Sequence, residues 1–293
     1  MKIPIYRWFV ILVCVLFTST LFATEVQKGL LWQVTKSGVK SSYVFGTIHS
    51  EDIRVNKLPK KIRSYFEKAN SVALEMLLDM PTMLKVSAAM LITDEKQSLD
   101  KLIDKELFTQ VAEALRKYQI PPIIAKKLKP WAVIATLSTP PPKSGDFLDL
   151  YLYKEAMKLE IDVHGLEKVE EQLAVFEDLS LKEQIMLLTE TITNIDEMPE
   201  MFAKLHELYL QRDLTKLQKF SVEYMIKNSE NQDLADDFYE RIVNDRNVTM
   251  VDRMLKLLQE GNAFVAIGAL HLPGEKGILK LLEYKGYKVK PIY

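Results

Sequence analysis

A single cysteine, Cys14, excludes a disulfide framework and a cysteine-built zinc site. Ten glycines and twelve prolines are too few for a collagen-like or linker-dominated chain. Neither sign of charge is in excess: 39 Lys and Arg face 40 Asp and Glu, so the overall balance gives no reason to bind nucleic acid. HExxH, P-loop and G-x-S-x-G motifs are all missing, which removes support for zincin, phosphate-loop and serine-elbow chemistry. What remains is ordinary globular composition, 48% hydrophobic and 27% charged, enough for a sizeable core in one large domain or two small ones.

The one long apolar run stands at the start. Lys2 and Arg7 precede Trp8 to Leu16, and small or polar residues lead to Ala23, the order of a secretory signal spanning residues 1–23. Cleavage after Ala23 predicts a periplasmic or secreted protein. The alternative is an uncleaved membrane anchor lengthened through Phe22, the only membrane contact that the sequence suggests. Loss of this segment also removes Cys14, leaving a thiol-free chain suited to an oxidising compartment.

Residues 24–293 read as one α/β (α+β) domain. The β-rich runs 30–36 and 41–49, separated by Ser37-Gly38, predict a hairpin. Leu58, Ile62, Tyr65, Phe66 and Ala69 then recur at helical spacing before the short apolar strand 71–76. A mostly helical middle follows, about 80–260, with corners at Pro121-Pro122, Pro130 and Pro140 to Pro142 and one isolated strand at 161–166. Two units of strand, Gly-x-x-His, helix and strand begin at 44–49 and 265–271. Their likeness predicts a central mixed sheet built from both chain ends, with the helical middle packed over it.

Four histidines are present, and the spacing places His49 and His271 at the ends of the matching strands, where open α/β sheets bind ligands. Gly46 and Gly268, three residues earlier, leave room for close approach by a ligand or neighbouring backbone. Taken singly, each histidine also reads as a hydrogen-bonded strand-end residue. Glu75, closing the next strand, either completes a site of nitrogen and oxygen donors suited to Mn, Co or Zn, acts as general base, or is a solvated edge carboxylate. Glu167, Glu170 and Glu171 share one face near a helix N-terminus, a pattern that capping and solvation also explain. Arg246 falls among Phe238, Tyr239, Ile242, Met250 and Leu257 on a 100° wheel and wants a carboxylate or oxyanion there; snorkelling over the rim competes. His206, and core packing for Met76, Met80, Met83 and Met90, read as structural.

FGTIH (45–49), the ALEM carboxylate (73–76), LDLYL (148–152), GLEKVEEQL (165–173), Arg246-Asn247 with Met250 and GALHLPG (268–274) occur in an order that resembles the TraB/PrgY/GumN family. That family includes the animal Tiki proteins, metal-dependent proteases acting on Wnt ligands. Asp245 departs from it, standing where many relatives have Glu, and His164 precedes the Gly-Leu-Glu element. The resemblance implies a divalent-metal-dependent hydrolase acting on a peptide or protein, with His49, His271 and Glu75 at the metal and Glu167, Glu171 and Arg246 lining the same cleft. The alternative is a non-catalytic protein of the envelope that binds or sequesters a peptide or small ligand.

Overall fold

The computed structural model describes residues 27–94 and 96–293, so the expected signal segment lies outside the described residues. Six strands form one sheet: β1 (Leu31–Thr35), β2 (Ser42–Thr47), β3 (Ser71–Leu74), β4 (Asp162–Gly165), β5 (Ala263–Gly268) and β6 (Lys288–Pro291). Their spatial order is β4-β3-β5-β2-β1-β6. The hairpin forms as its alternation predicts, with Leu31 opposite Phe45 and Gly38 at φ +78° in the turn. The central strand β5 reads as a continuous apolar run because both its faces are covered. Edge strands β4 and β6 are largely exposed, and Lys288, Lys290 and Pro291 discourage further pairing on β6.

The sheet is mixed and draws on both chain ends, as expected, but the two repeated units interleave. β2 crosses through the helix Lys60–Glu67 to β3, and β5 lies between those two strands. β5 then crosses through Ile278–Tyr284 to β6, passing beyond β2 and β1. Strands β4, β3, β5 and β2 are mutually parallel, so their carboxyl ends share one edge. The aromatic centre of this layer is Phe264, edge-on to Phe66 at 5.4 Å and tilted to Phe45 at 5.9 Å.

The helical middle has its own buried cluster, including Leu99, Val111, Leu115, Trp131, Leu137 and Leu188. Pro122 and Pro130 occupy the first positions of the helices Pro122–Ala125 and Pro130–Leu137, where the missing N–H costs nothing. The segments 98–119 and 168–193 are each broken into two helices, Leu99–Leu102 with Lys105–Arg116 and Val169–Glu177 with Leu181–Thr193. Asp104 caps Lys105–Arg116 through Leu107 N–H at 2.8 Å, and a Ser180/Glu183 capping box starts Leu181–Thr193. The core expectation fails for two of the methionines: the helix Met80–Ala89 buries none of its residues, and Met80 and Met83 face water, while Met90 packs against the helical cluster.

Because Phe264 ties the sheet to the helix below it, Phe264→Ala is expected to cost about 3–5 kcal/mol. Urea unfolding of the variant against the parent protein measures this.

Candidate active site

Four neighbouring parallel strands deliver four chemically active side chains to one edge. Glu75 immediately follows β3, Glu167 lies two residues beyond β4, and His49 two beyond β2. His271 sits slightly further out than its spacing suggests, because β5 ends at Gly268 and Ala269–His271 forms a 3-10 turn. The pairing continues past the strand ends: Leu166 N–H donates to Leu74 C=O at 2.9 Å and Glu167 N–H to Glu75 C=O at 2.7 Å. These bonds fix the two acids side by side.

Arg246 joins them. Its Nη2 donates to Glu75 Oε2 at 2.6 Å and Glu167 Oε2 at 2.7 Å, its Nε to both Glu167 oxygens at 2.9 and 3.1 Å, and its Nη1 to Ile242 C=O at 3.1 Å. Four of its five hydrogens are thereby committed. Burial opposes its charge, but the carboxylates outweigh this and raise its pKa. Ile242 belongs to a π-helical turn, Glu240–Asp245, inserted ahead of the helix Arg246–Glu260. That turn re-aims the helix toward the acids.

The glycines do what their lack of a side chain allows. A Cβ on Gly268 would meet Glu75 Oε1 at 3.0 Å, and Gly268 N–H donates to that oxygen at 2.6 Å. A Cβ on Gly46 would meet Leu272 Cδ1 at 2.9 Å. Burial pushes the Glu75 carboxyl up, but the charge of His271 whenever its ring is protonated, Arg246 and the Gly268 N–H outweigh it and hold the group below its ordinary value. The carboxylate is therefore ionised across the physiological range.

His271 is buried, with Nε2 3.8 Å from Glu75 Oε1 and Nδ1 2.7 Å from Asn247 Oδ1. Asn247, fully buried, donates its Nδ2 to Lys276 C=O at 2.9 Å, so its oxygen faces the ring. An amide oxygen only accepts, which makes His271 Nδ1 the protonated nitrogen and leaves the Nε2 lone pair toward Glu75. Burial lowers the His271 pKa, against the pull of Glu75, and favours this neutral tautomer.

His49 reaches the same edge but not the same contact. Its ring packs on Phe147 at 3.8 Å and lines a cavity of about 690 Å³ that also holds Ser50, Tyr118 and His206. Desolvation there lowers its pKa, while Glu75 and Glu51 pull it up. It makes no hydrogen bond among the described residues, so both ring nitrogens are free to bind. Among the described residues, no three His, Cys, Asp or Glu side chains stand close enough together to form a ready metal site. The sequence reading put His49, His271 and Glu75 on one ion; the structure brings the last two together and leaves His49 at the cavity wall.

Each of the three clustered glutamates has its own cation. Glu167 pairs with Arg246, exposed Glu170 with Lys85 at 2.9 Å, and Glu171 with Arg253 through two bonds of 2.6 Å while accepting from Lys168 N–H. Glu167, Glu171, Arg246 and Arg253 line a second cleft of about 530 Å³. Glu171 lies at its rim, bound to Arg253 rather than to the Glu75 cluster.

Three residues escaped the sequence reading. Asn247 falls on the flank of the apolar stripe when the wheel ignores the π turn; a polar residue beside Arg246 was the available signal. His206, read as structural, lines the His49 cavity, with Nε2 2.6 Å from Ser50 Oγ. Asp149, within LDLYL, accepts from Thr47 Oγ1 at 2.8 Å at the end of β2. Burial, helped by the Glu75 charge, pushes its carboxyl up to about 6. An acid between the buried leucines Leu148 and Leu152 was its signal.

The TraB/PrgY/gumN family profile matches residues 30–291. The chain belongs to that family. Among curated relatives it is similar to "Metalloprotease TIKI2" of Xenopus tropicalis, 22% identical over 91% of this chain, and to the Danio rerio TIKI2, 24% identical over 89%. "Metalloprotease TIKI1" of Xenopus tropicalis is 22% identical over 88%. The chain spans about 60% of the length of each of these relatives. No solved structure matches it.

The raised Asp149 carboxyl makes a pH prediction. Between the ordinary value of 3.8 and about 6 the folded protein binds a proton that the unfolded chain has lost, so this group's contribution to stability falls as pH rises through that window. Its loss amounts to about 3 kcal/mol. Asp149→Asn is expected to abolish this component and to unfold at higher denaturant than the parent protein at pH 7. Denaturant midpoints at pH 4, 5, 6 and 7 test it.

Proposed function

We propose that this TraB/PrgY/gumN-family chain is a divalent-metal-dependent hydrolase that cleaves amide bonds in peptides or proteins, exported to the periplasm or beyond by its first 23 residues. The observation that carries this reading is the pairing of a His271 Nε2 lone pair, fixed by Asn247, with an ionised Glu75 at the edge that His49 also reaches. Neutral imidazole and carboxylate are the donors that Mn, Co and Zn take. The charge fits too: Glu75 and Glu167 share a single guanidinium, so the cluster keeps one excess negative charge that a cation would neutralise. That similar proteins are named metalloproteases points the same way.

His49, His271 and Glu75 would hold the ion. When bound, it polarises a carbonyl and makes water more acidic. Glu75, held below its ordinary value by Arg246 and the Gly268 N–H, is a weak proton acceptor near neutrality, which favours its role as a donor to the cation over that of general base. Asp149, near 6, is better matched to exchanging a proton. Arg246 gives three of its five hydrogens to Glu75 and Glu167 and a fourth to Ile242 C=O, so it positions those acids; the oxyanion role considered from sequence would rest on one remaining Nη1 hydrogen. Capture of a peptide without turnover is a second reading, favoured by the cavity beside His49, which needs no ion to exist.

The test is metal content of the purified protein after dialysis against Mn, Co or Zn, followed by peptide-library cleavage with and without chelator. One bound ion, chelator-sensitive cleavage and loss of both in His49→Ala and His271→Ala are expected. Asn247→Ala should weaken metal binding about 10–100-fold. Metal-free protein that returns every peptide intact, with His49→Ala indistinguishable from the parent, overturns the proposal.

A further inference from the structure

We propose that the cavity beside His49 is a subsite for one uncharged apolar side chain of a peptide, aliphatic or aromatic. Its place next to a cleaved bond rests on the hydrolase reading above; its ability to bind does not. The volume, about 690 Å³, lies in the range of small-ligand sites and exceeds what one side chain fills. Its walls include Ile53, Tyr118, Ile120, Pro140, Pro141 and Phe147, with the His49 ring stacked on the last.

Apart from the His49 ring nitrogens and the exposed Lys143 ammonium, the charged and hydroxyl groups around it are already engaged. Glu51 accepts from Lys143 N–H at 2.8 Å, Ser144 N–H at 2.6 Å, Ser144 Oγ at 3.1 Å and Gly145 N–H at 2.9 Å. Asp52 is held by Arg54 Nε and Nη2, His206 by Ser50, and the Tyr118 hydroxyl donates to Thr139 C=O at 2.5 Å. Lys143 is exposed and keeps its ammonium hydrated. A charged side chain entering the cavity would lose water and find at most the neutral His49 ring as a partner, too little to offset the loss, whereas an apolar one loses nothing.

Two further features fit an occupant of that kind. Ile53 is 87% exposed at the cavity, an aliphatic surface that a bound side chain would cover. The Glu51 clamp and consecutive prolines fix the opposite wall before anything binds, which lowers the ordering cost of association.

Binding is measured first without turnover, by saturation-transfer NMR and titration with the N-acetyl methylamides of leucine, phenylalanine, alanine and aspartate. Leucine and phenylalanine derivatives are expected to bind at least about tenfold more tightly than those of alanine and aspartate. Ile53→Ser, at an exposed position that should fold normally, and Ile120→Ser should each shrink that ratio. Equal binding of all four compounds, or a ratio unchanged in both variants, overturns the proposal. Cleavage of peptides differing only at one position is the second arm. Selective binding with every peptide left intact would sink the hydrolase reading and leave this subsite standing; cleavage without side-chain preference, together with equal binding, would do the reverse.

Discussion

The Arg246 guanidinium between Glu75 and Glu167 is the interaction on which the site depends. Parallel pairing of β3 and β4 sets two acids beside each other at adjacent strand ends, and a buried carboxylate next to a partly buried one resists joint ionisation. A guanidinium bonded to both relieves that conflict, and its planar fork suits this bridging better than an ammonium would. Removing it would leave buried Glu167 and partly buried Glu75 without a cation, a larger penalty than loss of a surface pair. The same triad sets the charge that the rest of the edge responds to. Glu75 remains ionised, its field helps to keep Asp149 protonated near 6, and the excess negative charge is available to a cation.

The two histidines divide the work unequally. His271 is buried, with its tautomer fixed by Asn247 and its remaining lone pair aimed at Glu75. His49 is exposed, rests on Phe147, and forms part of the wall of an apolar cavity. One imidazole is thus bound to the acid cluster and the other to the place where a ligand side chain fits. The matching Gly-x-x-His strings conceal this asymmetry, because it arises from what packs around each ring rather than from the strings themselves.

Strand positions were legible in sequence because their signals are local. Alternation, Ser37-Gly38 and the short apolar runs place the strands and hence the strand-end residues His49 and Glu75. The duplicated unit also announced that both chain ends enter one sheet. What could not be read were the features set by tertiary contact. The π turn at Glu240–Asp245 breaks the uniform wheel, so Asn247 moves from the stripe's flank to full burial. The methionine face of Met80–Ala89 has the right period for a core, yet Met80 and Met83 stay exposed. Asp149 acquires its raised pKa only from burial and from Glu75, distant in sequence. Pairing of Glu171 with Arg253 rather than Arg246 likewise depends on how two helices face each other.

Interleaving of the two crossover units has a consequence for how the site comes to exist. β5 is the strand that carries His271, and it lies between β2, which leads to His49, and β3, which leads to Glu75. Neither terminal segment folded alone can place an imidazole beside Glu75 in this way, since the middle strand comes from the opposite end of the chain. Such long-range parallel pairing closes a large loop before any contact compensates for it, the condition under which sheets form slowly. Phe264 stands on that same strand, packed on Phe66 from the first crossover helix and Phe45 from β2. The aromatic contacts that hold β5 in place are therefore the ones that assemble the donors at its end, so core packing and site geometry are decided by a single insertion event.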